Sequence, residues 1–208
     1  MDTIPCWHIV ISGFSQHKHS ELNGMVELWA RLQQQYGKTC PVLLKAWNDC
    51  VRDLAGLIFK LRDRHIPPRI QVYAYSWGGA TAIDFAKELQ RYGLIIENLV
   101  LSDAVYRHCY WLGQWRAFAP VAIRMPRNIL EVDWYIQQNP RFSWERVKDG
   151  GGQRIFEPAG HKLIWSGPPI DGVTNVLHPP VIVRTGRCHS AMDDLLEFHQ
   201  KCLEVASR

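Results

Sequence analysis

The sequence predicts an α/β protein, a three-layer αβα sandwich built on a mostly parallel sheet. Two observations carry that expectation. Short apolar runs ended by turn residues alternate with longer segments whose apolar side chains recur at helical spacing. One of those runs, Val72-Tyr-Ala-Tyr-Ser76, stops at a serine where a small-residue helix begins. At 208 residues the chain reads as one domain, residues 1–208, long enough for a full core.

Each element has its own signal. Trp7-His-Ile-Val-Ile11, closed by Ser12-Gly13, is a buried strand. Leu22, Met25, Val26, Trp29, Leu32 and Tyr36 share one helical face, with Ser20 as cap and Gly37 beyond the end. Pro41–Ala46 is a second strand. Val51, Leu54, Ala55, Ile58 and Leu61 form a second amphipathic helix, capped by Asn48 or Asp49 and ended by Pro67-Pro68. Arg69–Tyr75 is a third strand. The next helix runs through Ile83, Phe85, Ala86 and Leu89 to Tyr92-Gly93, and Asn98–Ser102 is a fourth strand.

The alternation then breaks. Residues 104–180 hold Trp111, Trp115, Trp134, Trp144 and Trp165, most of the prolines and the run Gly150-Gly-Gly152. The stretch is too long and too apolar for a linker, so it is expected to fold over the sheet as an inserted cap or lid. His161–Trp165 is a strand within it or a further sheet strand. Pro180–Arg184 is the last strand. The closing helix is expected from Ser190, with Asp193 completing a capping box. Parallel strands joined by helices place ligand chemistry at the carboxyl ends of the strands. That rule selects Gly13-Phe14, Ser76 and Asp103.

Composition excludes several classes. A net charge of +4 with no dense basic cluster gives no nucleic-acid surface. No apolar stretch approaches the roughly 20 residues of a membrane span, and the start lacks a secretory signal. The six cysteines, Cys6, Cys40, Cys50, Cys109, Cys188 and Cys202, show no C-x-x-C and no ligand-like pairing with histidine. They read as free thiols in a reducing, cytoplasmic compartment. No metal site and no cofactor are expected: H-E-x-x-H, G-x-G-x-x-G and the P-loop pattern are all missing.

Ala74-Tyr-Ser-Trp-Gly78 is a variant of the Gly-x-Ser-x-Gly nucleophile elbow. Strand and helix nearly collide there, so the positions two before and two after the serine must be small. Acyl transfer by serine needs a base, an acid to orient it, and donors for the oxyanion. The base is assigned to His189, in the loop after the last strand. The acid is assigned to Asp103, with Asp171 and Asp133 as rivals; Asp193 and Asp194 serve the closing helix. The oxyanion donors are the backbone N–H groups of Trp77 and of Phe14.

On Gly13-Phe14, Ala74-Tyr-Ser-Trp-Gly-Gly79, Asp103 and His189, the chain resembles the α/β-hydrolase superfamily in a trimmed form. The resemblance covers residues 4–103 and 181–206. It lacks the two leading antiparallel strands, and its acid lies where pancreatic-type lipases carry theirs. The resemblance implies a serine hydrolase acting on a small-molecule carboxylic ester or thioester through an acyl-enzyme, with no cofactor. The insertion would then set substrate choice, its tryptophans either meeting an apolar group or forming the core of the cap. A non-catalytic binding or scaffold protein on the same fold is the competing expectation.

Overall fold

The computed structural model describes residues 6–14, 16, 23–63, 65–104, 122–137, 162–165, 181–185 and 191–208. Eight strands and four helices follow in the order β1 (Cys6–Ile11), α1 (Gly24–Tyr36), β2 (Val42–Lys45), α2 (Arg52–Leu61), β3 (Arg69–Tyr75), α3 (Gly78–Arg91), β4 (Ile96–Ser102), β5 (Ala122–Met125), β6 (Ile129–Gln137), β7 (Lys162–Trp165), β8 (Val181–Thr185) and α4 (Leu196–Ala206). Six strands form one sheet in the order β2-β1-β3-β4-β6-β8, and every pairing in it is parallel. This is the expected α/β architecture, and its parallel sheet fits an α/β-hydrolase-like fold.

Period-two alternation along the central strands supplies both faces. Ile9, Ile11, Val72, Ala74, Leu99, Leu101 and Trp134 point to one side, where they pack against apolar residues of α2 and α3. Val10, Tyr73, Tyr75, Val100 and Tyr135 point to the other side, against α1 and α4. The sheet is therefore the middle of three layers, and its carboxyl rim gathers the ends of β1, β3, β4 and β6.

Four expectations are corrected. Ile129–Gln137 lies inside the stretch read as a cap, yet it is β6 and pairs between β4 and β8. Its Trp134 is a buried core side chain, not a cap residue. Glu131 and Asp133 hid the strand in the sequence: both find polar partners, Asn98 and Lys201, so the strand is buried without being apolar throughout. The strand expected at His161–Trp165 is present as β7, and of the two alternatives it is the strand within the insertion, pairing with β5 in a separate two-stranded sheet. The second helix is not capped by Asn48 or Asp49; its cap position is Val51, and the Asp49 carboxylate instead accepts from Ala46 N–H at 3.1 Å, closing the turn after β2. The closing helix starts at Leu196 rather than Ser190, because the Asp193 carboxylate is engaged elsewhere. The first helix starts at Gly24, where the Asn23 side chain accepts from Met25 and Val26 N–H; Ser20 and Leu22 lie outside the described residues.

Candidate active site

Ser76 follows β3 directly and precedes α3. Its backbone has φ 51°, the left-handed region that a serine rarely occupies, and its side chain is buried. Such a conformation persists only when its surroundings over-determine it. They do so here from three sides. Ser76 N–H donates to Ser102 O at 3.0 Å, and Ser76 O accepts from Gly79 N–H at 2.9 Å. At Gly78 an added Cβ would lie 2.6 Å from Ile11 O and 2.8 Å from Ser12 O, so only glycine lets α3 start this close to β1. At Gly13 an added Cβ would lie 2.9 Å from the Ser76 Cβ, so the loop after β1 rests its backbone against the serine.

Asp103 follows β4 as Ser76 follows β3. Tyr75 and Ser102 are register partners, so the two residues stand side by side at the rim. Asp103 is also buried and also left-handed, with φ 41°, and its N–H donates to Tyr135 O at 2.7 Å. These are the two non-glycine residues with positive φ among the described residues. Both sit at the strand ends where the sequence locates chemistry.

The donor groups are arranged as follows. Gly13 N–H is taken by Gln16 Oε1 at 3.0 Å. Phe14 N–H and Trp77 N–H donate to no acceptor among the described residues. Trp77 is also the cap residue of α3, so the positive end of that helix lies beside the serine. Their side chains meet: the Phe14 and Trp77 rings are 4.8 Å apart, and Trp47, from the turn after β2, lies 5.3 Å from Phe14 and 4.9 Å from Trp77. The Trp47 carbonyl accepts from Thr81 of α3, which fixes that turn against the elbow helix. Trp47 was not singled out in the sequence, because nothing in its own neighbourhood marks it.

Of the rival acids, Asp133 is on β6 in register with Val100, two residues short of the rim, and its carboxylate lies 3.5 Å from Lys201 of α4. Burial pushes its carboxyl up, and Lys201 opposes that shift. It is a buried ion pair against a helix rather than a rim residue. His189 and Asp171 lie outside the described residues. The segment that follows His189 is anchored at the rim: Ser102 Oγ donates to Met192 O at 2.5 Å, and Gln16 Nε2 donates to Asp193 Oδ2 at 2.5 Å, with Gly24 N–H on the same oxygen at 3.3 Å. Asp193 therefore ties the lead-in to α4 to the loop after β1, a role its sequence position does not announce.

One group of metal-ligating type is present among the described residues, contrary to the expectation of no Cys–His pairing. Cys6, His8 and Cys40 bring their ligand atoms within 4.8 Å of one another. They lie at the amino end of β1 and just before β2, away from the rim that carries Ser76. Burial, then the neighbouring Cys40, push the Cys6 thiol up to about 12, and burial, then Arg69, bring the His8 imidazole down to about 4.

No protein-family model matches the chain, and no curated protein matches it. Among solved structures it is similar to a NocB thioesterase domain in covalent complex with a fluorophosphonate nocardicin G analog, at 12% identity and a TM-score of 0.44, over 98% of this chain and 95% of that one. A likeness at that score carries no argument about chemistry, which rests on the residues alone. No helix among the described residues is long and apolar enough to cross a membrane.

Proposed function

We propose that the protein is a serine hydrolase that cleaves a carboxylic ester or thioester through a covalent acyl-enzyme. The observation that carries this reading is Ser76, a serine held left-handed at a strand-to-helix turn, with a glycine backbone against its Cβ and, among the described residues, no acceptor for the N–H groups of Phe14 and Trp77. In this reading Ser76 Oγ attacks the substrate carbonyl carbon while the His189 imidazole takes its proton. The oxyanion of the tetrahedral intermediate accepts from Phe14 and Trp77 N–H. His189 returns the proton to the departing alcohol or thiol, then activates a water that releases the acid and restores Ser76. Asp103 holds the imidazole in the tautomer this needs.

Support for His189 comes from connectivity. Three residues on, Met192 is bonded to Ser102, the residue before Asp103. A chain spans at most about 3.6 Å per residue, so a residue three before Met192 is no more than about 11 Å of chain from it, which makes His189 the natural candidate for the base. The aromatic trio of Phe14, Trp47 and Trp77 favours a substrate with an apolar or flat group beside the scissile bond. We take those parts of residues 104–180 outside β6 to form the cap, and the compartment to be a reducing one, where Cys6, Cys40, Cys50 and Cys202 stay out of disulfides.

The test is a screen of nitrophenyl esters of increasing acyl length beside an acyl thioester. Hydrolysis by the wild-type chain is expected, with a drop of about 10³-fold or more in Ser76→Ala. A folded wild-type protein inert toward the whole panel would favour the non-catalytic binding protein instead.

A further inference from the structure

The second site worth a function is at the opposite end of the sheet. Cys6 and His8 are alternate residues of β1 and so project to the same face, the one covered by α1 and α4. Cys40 precedes β2, and the parallel pairing of His8 with Val42 brings it alongside. Cys6 Sγ and His8 Nε2 are 3.7 Å apart.

The state of His8 can be deduced from its partners. Gln71 Nε2 donates to Val205 O at 3.0 Å; a carbonyl only accepts, so the amide orientation is fixed. Gln71 Oε1 must then accept, and it takes the Tyr73 hydroxyl proton at 2.8 Å. That leaves the Tyr73 oxygen only acceptor capacity toward His8 Nδ1, 3.1 Å away. Nδ1 therefore carries the ring proton, and Nε2 presents its lone pair toward the thiols. All three side chains of this relay are fully buried. A histidine whose outer nitrogen is held by a partner, with the lone pair of the inner one facing a thiol, is the arrangement found behind metal-bound imidazoles.

We propose that Cys6, His8 and Cys40 bind a divalent zinc ion as a structural site. Two thiolates and one imidazole are a soft-to-borderline donor set that suits zinc. Zn–S bonds of about 2.3 Å and Zn–N bonds of about 2.0–2.1 Å make the edges of a tetrahedral site about 3.5–3.8 Å long. The Cys6–His8 separation already has that length, and the widest gap in the trio, at most 4.8 Å, closes by about 1 Å. Binding releases two thiol protons to solvent, and the resulting Zn²⁺–dithiolate unit is neutral, as a buried site requires. The nearby Arg69 adds no uncompensated charge, because Glu97 accepts from it at 2.8 and 3.1 Å. Tyr36 supplies an independent pointer. Its ring centroid is 5.2 Å from that of His8, and its buried hydroxyl has no hydrogen-bond partner among the described residues. The fourth zinc position, taken by that phenol or by a water bonded to it, satisfies this oxygen. Half-buried Cys40 is the way in for the ion.

The experiment uses the full-length protein under reductant, stripped with chelator and then titrated separately with Zn²⁺ and Co²⁺. One equivalent of metal is expected, with a thiolate-to-cobalt charge-transfer band and the visible bands of tetrahedral cobalt. Zinc should raise Tm. Cys40→Ser should weaken binding at least about 100-fold, and Tyr73→Phe, which removes the acceptor behind His8, about 10- to 100-fold. Cys50→Ser, away from the cluster, should bind as wild type does. Ester or thioester turnover should be indifferent to the metal, since Gln71, level with His8, is five residues or about 16 Å along β3 from Ser76. Reduced, folded wild-type protein that takes up no stoichiometric metal would overturn the proposal, leaving a thiol–imidazole hydrogen bond. So would a cobalt spectrum that Cys40→Ser leaves unchanged. Neither result bears on Ser76, and loss of hydrolysis in Ser76→Ala does not bear on the metal.

Discussion

Ser76 and Asp103 hold backbone conformations that cost about 1–3 kcal/mol each, and they hold them side by side. Strain of that kind at two adjacent strand ends sets two buried polar residues next to each other at one rim. Asp103→Asn should therefore leave the protein folded and reduce turnover by about 10⁴-fold, the effect known for a triad aspartate whose loss gives the wrong imidazole tautomer. Circular dichroism checks the first half and steady-state kinetics the second. Near-wild-type turnover would hand the acid role to Asp171, since Asp133 is already paired with Lys201. The elbow was legible in the sequence because its constraints are local: a serine between small residues, at a strand end, before a helix. Trp47 and the Cys6–His8–Cys40 cluster were not. Each is assembled by pairing across the sheet, and Cys40 reaches His8 only through the register of β2 on β1.

Among elements, the short segment between β8 and α4 does the most to join the site. It is sewn to the rim by Ser102 at Met192, and by Gln16 and Gly24 at Asp193. Further along, the His199 ring donates to Asp193 O at 2.7 Å, so α4 is fastened to the same stitch. Ser102→Ala removes one donor and leaves the Met192 carbonyl buried without it, a loss of about 1–3 kcal/mol. Denaturant unfolding should show that loss, and turnover should fall by more than the stability change explains, because the loop bearing His189 loses an anchor. Unchanged kinetics in a destabilised Ser102→Ala would detach this segment from the chemistry. The sequence located the strands and helices with regular periodicity, but not β5, β6 or the starts of α1 and α4. In β6, Glu131 and Asp133 break the apolar run that marks a buried parallel strand, and only their partners Asn98 and Lys201 explain how they are tolerated. At α4, a capping pattern at Ser190 competed with tertiary demand for the Asp193 carboxylate, and the tertiary contacts prevailed.

Over the whole molecule, the sheet has two distinctive ends: a strained carboxyl rim, where we propose acyl chemistry, and an amino end that gathers two thiols and an imidazole. Between them the stability carries a readable pH dependence. Burial, then Arg31, hold the His199 imidazole below its usual 6.5. The native state therefore binds fewer protons there than the unfolded chain, so this contribution is complete above pH 6.5 and is lost as the pH falls below it. Asp193 and Asp133 are pushed up by burial and act in the opposite sense, gaining stability as they take up protons in a more acidic window. Comparison of the wild type with His199→Gln isolates the histidine: from about pH 7 to about pH 5.5, Tm should fall more steeply in the wild type. Equal slopes would remove His199 from the account. The chemistry itself meets its most direct trial in labelling with a fluorophosphonate, followed by peptide mass spectrometry. Stoichiometric modification on Ser76 is expected, lost in Ser76→Ala and slowed in His189→Ala. A folded, reduced protein that stays unmodified, or takes the label on a different serine, would contradict the claim that this side chain is an activated nucleophile.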